Sequence, residues 1–433
     1  MKRLGFLAAA GGGISAAVMP ATMTANAADS GTPAARTIPI TGRPVPQLAA
    51  FDTAMVGFLT RFNVPGGQCA VAKDGRLVYA RGFGYVNSAA SVPEVSPTAR
   101  FRIASSTKPM TAVAILRLVE DGAIRLDEYA LDILHALTPS PGTTPDPRLR
   151  SITIRHLLEH SAGFVYPDAA GFDPQFDGLR LAALPFSHPF PATHTDIIRF
   201  ALGRPLGFTP GTRYVYSNLG YNMLGRIIEA ITNLPYRQAV QRLIFDPIRV
   251  GNIAFMTRTS PDARLPDEVF YTDYDLTLPQ YSIYDNDPFV RSYSYGGFDG
   301  AAIDAHGGAI ANAPDLTRFL NAVAGSSGIQ LLKPATVKTM LARPSVPGEE
   351  TGRYYALGWN VQPGVSVMGH AGAITFGTLS VVSRLPGEIT YAALFNHLDV
   401  DIGAMLTTID GTLIEAAHSV RSWPATDLYP ALV

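Results

Sequence analysis

The apolar positions of this 433-residue chain change rhythm several times, and each change predicts a different element. Residues 46–62 (PQLAAFDTAMVGFLTRF) repeat apolar side chains at helical spacing and predict an amphipathic helix. Two strand-like runs follow, GQCAVAKD (67–74) and RLVYARGFGYVN (76–87). Asp74-Gly75 joins them, a dipeptide suited to a two-residue hairpin turn. Residues 108–120 are apolar nearly all round, which predicts a central, buried helix ending near Asp121-Gly122. Residues 125–300 read as helical pieces and long loops, with the clearest helix at 220–232 (GYNMLGRIIEAIT). Strand rhythm then returns in YALGWNV (355–361), VSVMG (365–369), TFGTLSVVS (375–383) and ITYAALFN (389–396), before a last helix at about 401–418. This order predicts an α+β fold: an antiparallel β-sheet flanked by helices, with an inserted, mostly helical domain. The expected boundaries are 45–140 and 300–433 for the α/β domain and 141–299 for the insertion.

The N-terminus departs from these rhythms. Lys2 and Arg3 precede an apolar, Ala/Gly-rich run to Met19, and Ala25-Asn26-Ala27 supplies small residues for cleavage. Residues 1–27 therefore read as an export signal, and a periplasmic or secreted location is expected. Residues 28–44 are polar and Pro-containing and are expected to be a disordered linker. No later run has the ~18 unbroken apolar residues of an integral membrane span. A net charge of −1 gives no electrostatic case for nucleic acid. Cys69 is the sole cysteine, so no intrachain disulfide can form, and its strand-like surroundings predict a small buried apolar side chain. The oligomeric state is not set by any of these features.

Candidate chemistry centres on Ser105 and Lys108. The chain has five lysines, and Lys108 is the one followed by a long apolar helix. Residues three apart share a helix face, so the amine can take a proton from the hydroxyl. Burial would lower the lysine pKa toward a neutral, basic amine. Ser105 should open the helix, with Pro109 in its first turn. Tyr216-Ser217-Asn218 could add a tyrosine that loses its proton beside a lysine cation, although Tyr85-Val86-Asn87 and Tyr284-Asp285-Asn286 share the pattern. His370-Ala371-Gly372 offers an imidazole and a glycine beside a strand, and His306-Gly307-Gly308 is a second such match. A reading of another class comes from His156-Leu157-Leu158-Glu159-His160, an H-x-x-E-H zinc-peptidase motif. Against it, Ser161-Ala162-Gly163 should stop the helix, and the expectation is no metal and no cofactor.

Taken together, these stretches resemble the serine β-lactamase-like family of class C β-lactamases, D-alanyl-D-alanine peptidases, D-aminopeptidases and β-lactamase-like carboxylesterases. The resemblance spans roughly residues 46–420. It rests on GFGYVN (82–87), FRIASSTKPMTA (101–112), ITIRHLLEHSAGF (152–164), PGTRYVYSNLGYNMLGRIIE (210–229), GGAIANAPDLTRFL (307–320), YALGWNV (355–361) and GHAGAITFG (369–377) in order. It implies a β-lactamase/transpeptidase-like fold and an acyl-enzyme mechanism. Ser105 would attack a carbonyl carbon, while Lys108 and Tyr216 handle the proton, with the true base left open. Asn218 would bond near Lys108 or the substrate, and His370 would face the nucleophile. Gly372 would leave room for substrate, and the N–H groups of Ser105 and Ala373 would form an oxyanion hole.

The chain also departs from that pattern. His370-Ala371-Gly372-Ala373 stands where β-lactamases carry Lys-Thr-Gly and a hydroxyl residue, which removes groups suited to a substrate carboxylate. Asp399 and Asp401 offer carboxylates near the site, with helix N-capping as their simpler use. Nine aromatics within residues 270–298 could form an acyl or alcohol pocket, or a subdomain core or dimer contact. The expected activity is a serine hydrolase acting on small ester or amide substrates, first a carboxylesterase. A D-amino-acid peptidase or amidase, or a class C-like β-lactamase, is the alternative.

Overall fold

Asp74 and Gly75 adopt φ of +52° and +76°, the pair of left-handed residues that a type I′ turn requires. They close the hairpin between β2 (Gly66–Lys73) and β3 (Arg76–Gly84). The computed structural model describes residues 37–88, 92–166, 173–176, 182–186, 190–271, 282–284, 293–326, 328–346, 352–374 and 377–431. The expected export signal lies outside these residues.

The main sheet also contains β1 (Ile40–Thr41), β7 (Tyr354–Tyr355), β8 (Asn360–Gln362), β9 (Ser366–Ile374), β10 (Thr378–Leu385) and β11 (Ile389–Phe395). Its eight strands run β1-β3-β2-β11-β10-β9-β8-β7, with every pair antiparallel. A second sheet orders β4 (Phe101–Arg102), β6 (Ala309–Ala311) and β5 (Ala254–Phe255). The antiparallel α+β architecture is the one the hydrophobic rhythm predicts. One expectation is corrected: Ile40–Thr41 was assigned to a disordered linker, yet it pairs with Phe83 and Gly82 as an edge strand. Ile38 and Ile40 pack against the apolar core there, so the proline-flanked stretch has enough apolar surface to dock.

Alternation along the strands sorts side chains onto two buried faces. Cys69, Val71, Val381, Tyr391 and Ala393 meet helices α1 (Ala49–Arg61) and α6 (Ile402–Ser419) on one side. Ala70, Val382, Ala392 and Leu394 belong to the other core, with α2 (Lys108–Glu120), α4 (Asn218–Thr232) and α5 (Ala313–Ala324). Between α2 and α4 in sequence lies the short α3 (Ile154–Leu158). Because both faces are covered, the strands read as near-continuous apolar runs. Val113, Ile115 and Leu116 of α2 are fully buried, each contributing about 1.5–3 kcal/mol on an area scale. The segment carrying Lys108 is therefore packed between the sheet and α4.

Candidate active site

Ser105 lies on a 3-10 turn, Ala104–Thr107, that leads directly into α2. Pro109 occupies the first helical turn, where its missing N–H costs nothing. Ala104, immediately before the serine, sits at φ +47°, a conformation an alanine adopts only when its surroundings dictate it. Those surroundings are hydroxyls. Ser380 Oγ on β10 donates to the Ile103 carbonyl at 2.7 Å and lies 2.8 Å from Ser106 Oγ. Thr378 Oγ1 donates to the Arg102 carbonyl, and Thr107 Oγ1 to the Ala104 carbonyl, each at 2.7 Å.

Strand β9 runs close against this turn, and Gly372 is the reason it can. A Cβ at Gly372 would stand 2.2 Å from the Ile103 carbonyl oxygen and 2.8 Å from the Ser105 nitrogen. Gly372 thus brings the strand backbone beside the Ser105 amide. Ala373 follows it, paired with Leu379 of β10. Strand β8 pairs with β9 at Asn360↔Gly369 and Gln362↔Ser366, before the strand reaches this point.

Lys108 is fully buried, and among the described residues its Nζ has three polar neighbours: Asn218 Oδ1 at 2.7 Å, the His306 carbonyl oxygen at 3.1 Å and Ser105 Oγ at 3.0 Å. Burial drives its pKa well below the ordinary lysine value, while the charge of Asp173 acts in the opposite direction. A neutral amine has two N–H donors and one lone pair. Asn218 and His306 offer only acceptor atoms and take both donors, so the lone pair remains for the Ser105 hydroxyl. Desolvation and geometry therefore agree on a base poised at the serine. The ordering of Asn218 follows from its position: Ser217 caps α4 by accepting the Gly220 N–H, which sets Asn218 at the first helical residue.

Tyr216 completes the group. Its hydroxyl hydrogen-bonds Ser105, and its ring lies 4.7 Å from Lys108 Nζ. The expectation that a lysine cation would strip its proton is corrected. Burial pushes the phenol pKa up, the hydrogen bond to Ser105 opposing only in part, and the neighbouring amine favours its neutral form. Tyr216 is a protonated donor. The other Y-x-N tyrosines lie elsewhere: Tyr284 is bonded to the Thr259 N–H and to Asp299, and the Tyr85 backbone pairs with that of Glu94.

His370 is 4% exposed on β9, paired across to Val382. Its Nδ1 lies 2.6 Å from the Ala371 carbonyl and its Nε2 3.0 Å from the Tyr355 hydroxyl. The carbonyl can only accept, so Nδ1 carries the proton and Nε2 accepts from Tyr355. Burial and the nearby Lys108 push its pKa down to about 3. Both ring nitrogens are thus engaged with protein, and the imidazole is neutral. The structure brings Ser105, Lys108, Tyr216 and Asn218 into direct contact and sets Gly372 against them, whereas His370 is turned toward Tyr355.

The H-x-x-E-H reading is not supported by the geometry. Helix α3 is five residues long and ends before Glu159, and His160 reverses the chain at φ +57°. His156 Nδ1 accepts the Thr153 N–H, His160 Nδ1 accepts the Ser217 N–H, and Glu159 accepts the Ser161 hydroxyl. With these partners the three side chains do not converge on a point. Among the described residues, the one His/Asp/Glu trio close enough to share an ion is His194, Glu229 and Asp304. There the Arg226 guanidinium already pairs with both carboxylates.

The remaining candidates sort themselves. Asp401 caps α6 through the Ala404 N–H, the simpler of its two expected uses. Tyr271, Tyr284 and Phe298 of the aromatic-rich stretch are buried as core, and Tyr271 bonds the Arg102 N–H and Glu268. Tyr274, Tyr281 and Phe289 lie outside the described residues. Phe176, Tyr293 and Phe298 nonetheless share one apolar cluster with Ala104 and Ile374, which flank Ser105 and Ala373 in sequence. Two participants escaped sequence reasoning. The His306 carbonyl is a backbone atom, which no side-chain pattern reveals. His160 was visible only as half of a metal motif.

The family model described as Beta-lactamase matches residues 51–404. A protein of Escherichia coli O157:H7 named as a D-alanyl-D-alanine carboxypeptidase is 24% identical over 396 residues, covering 84% of this chain and 85% of its own. Esterase EstB of Burkholderia gladioli is 31% identical over 209 residues, 48% of this chain and 50% of the esterase. Among solved structures, the D-amino acid amidase of Ochrobactrum anthropi SV3 in complex with L-phenylalanine superposes with a TM-score of 0.65 at 22% identity, covering 86% of this chain and 99% of the amidase.

Proposed function

This chain belongs to the beta-lactamase family of serine hydrolases, and from that premise we propose that it is an exported carboxylesterase acting through an acyl-Ser105 intermediate. The observation that carries the choice of substrate is His370. Its nitrogens are taken by Tyr355 and Ala371, and it is neutral at physiological pH, so it offers no cation for a substrate carboxylate. Ala373 likewise offers no hydroxyl. An uncharged ester fits such a site better than an anionic β-lactam or a peptide with a free C-terminus. The apolar cluster of Phe176, Tyr293, Phe298 and Ile374 supports an apolar acyl or alcohol group.

In this mechanism Ser105 Oγ attacks the carbonyl carbon as its proton passes to the lone pair of Lys108. The oxyanion sits between the Ser105 and Ala373 N–H groups. Collapse breaks the C–O bond, and Tyr216 donates its proton to the departing alkoxide. The Lys108 ammonium returns a proton to Tyr216. Water then attacks the acyl carbon with the same groups reversed, and Ser105 is released.

A second reading is an amidase for amine-bearing substrates, favoured by Asp173, a buried carboxylate whose charge acts on Lys108. Parallel assays of short p-nitrophenyl esters, D-amino acid amides and nitrocefin separate the readings. Ester turnover that exceeds the other two supports the esterase. Rapid nitrocefin or D-amide turnover with no ester hydrolysis rejects it. A fluorophosphonate adduct on Ser105, absent in Ser105→Ala, tests the nucleophile. Export to the periplasm or medium rests on the N-terminal pattern, and the mass of the protein recovered from those fractions tests cleavage after Ala27.

A further inference from the structure

We propose that His160 is a positioning residue for the catalytic reaction, a clamp that fixes the phenol of Tyr216 against Ser105 and Lys108. The proposal rests on the reading of Tyr216 as a proton-transfer group. It gives a use to the second histidine of the H-x-x-E-H stretch, which the metal reading left without one.

Three contacts carry it. The His160 carbonyl accepts the N–H of Val215 at 2.9 Å, and its Nδ1 accepts the N–H of Ser217 at 3.0 Å. The residues on either side of Tyr216 are therefore both tied to one residue. The imidazole also packs on the Tyr216 ring itself, with centroids 4.3 Å apart and planes inclined by 39°. Backbone before, backbone after and ring between are all held by His160. Since the phenol rotates about its own side-chain bonds, holding both flanking amides and one ring face leaves it little freedom.

The local backbone is arranged for this purpose. At φ +57° His160 turns the chain so that carbonyl and ring face the same neighbour. The adjacent residues extend the pairing: Gly211 N–H donates to the Ser161 carbonyl and Gly207 N–H to that of Gly163. The loop that ends in Tyr216 is thus laid along residues 160–163. Accepting from Ser217 requires an unprotonated Nδ1. Burial holds the imidazole neutral, which meets that requirement. Nε2 then bears the proton and has no hydrogen-bond partner among the described residues. A histidine retained only for core packing has no need of an acceptor aimed at that amide. The rings of Tyr355 at 4.4 Å and Tyr221 at 5.1 Å close the cage around it.

A double-mutant cycle in the full-length chain tests the clamp. His160→Leu should lower kcat for a p-nitrophenyl ester about 10- to 100-fold with KM changed less than about threefold. His160→Asn keeps a side-chain oxygen acceptor and tolerates the left-handed backbone, so it should recover most of that loss. In a Tyr216→Phe background, His160→Leu should cost less than about threefold more. Full multiplicative loss in that background overturns the proposal, as does a folded His160→Leu with unaltered kcat, or an Asn variant no better than Leu. A second readout is independent of turnover. The ring resonance of Tyr216, assigned in ¹³C-tyrosine-labelled protein by its loss in Tyr216→Phe, should be a single line in the native chain and in His160→Asn. In His160→Leu it should broaden or split, and an unchanged line there overturns the clamp. If His160→Leu does not fold, the Asn variant decides: a tenfold or greater loss of kcat with a broadened Tyr216 line counts against a side-chain acceptor as the clamp. If Ser105→Ala hydrolyses the ester like the native chain, the hydrolase reading fails, and the resonance alone judges the clamp.

Discussion

Lys108 and His370 are both nitrogen bases, both buried and both held below their ordinary pKa, yet their surroundings equip them for opposite ends. Around Lys108, Asn218 and the His306 carbonyl absorb two N–H donors and leave the amine lone pair directed at Ser105. Around His370, one nitrogen is matched to a carbonyl and the other to a hydroxyl, so nothing remains for a substrate. Burial makes a neutral base in either place. Only the unfilled valence at Lys108, aimed at the Ser105 hydroxyl, makes one of them the proposed base.

Removing the reactive side should cost most. Lys108→Met, close in shape and without a base, is expected to lower kcat by about 10³- to 10⁴-fold with the melting temperature maintained or raised. Loss below tenfold would mean that the Lys108 lone pair is not the base. Gly372→Ala should come next, because its methyl would enter the space of the Ile103 carbonyl and the Ser105 amide. We expect a destabilisation of about 1–3 kcal/mol in thermal unfolding and loss of fluorophosphonate labelling in whatever remains folded. Tyr216→Phe should reduce kcat about 100-fold, measured beside labelling rate to separate acylation from release.

The engaged side should respond weakly. His370→Gln is expected to change ester kcat by less than about fivefold. A loss comparable to that of Lys108→Met would erase the contrast between the two bases. The pH dependence of stability tests their shared neutrality. His370 titrates near 3 when folded and near 6.5 when unfolded, so below about pH 6.5 the unfolded chain binds the extra proton. Stability should be highest above that point and fall as pH drops toward 3, by about 1.4 kcal/mol per pH unit for this histidine. His160 and His306 shift in the same direction and steepen the fall. Urea titrations between pH 7 and 4 that gave flat stability would show that these imidazoles are not held neutral.

Much of this was legible in the chain. The strands at 66–84, 378–385 and 389–395 and the helix at 108–120 announced themselves through period, turn residues and apolar runs, whereas β9 was legible only to Gly369 and continues to Ile374. Ser105 and Lys108 were legible because helical spacing alone puts them within reach. Tyr216 and Asn218 were harder, since two other Y-x-N triplets exist and only an ordered set of stretches separated them. The H-x-x-E-H stretch misled because its spacing presupposes a helix, and that helix ends at Leu158, where the chain turns left-handed at His160.

The sequence by itself determined the antiparallel α+β scaffold and the placing of a serine hydroxyl beside a lysine amine, because those depend on local periodicity and short spacing. It also removed the cation and hydroxyl from the facing strand, which are questions of residue identity. The tertiary structure alone decided protonation and direction. Whether Lys108 is a base, whether Tyr216 keeps its proton and which way His370 faces all depend on burial and on partners that lie 15 to 198 residues away in the chain. Desolvation and hydrogen-bond valence act through space, so no reading along the chain can supply them.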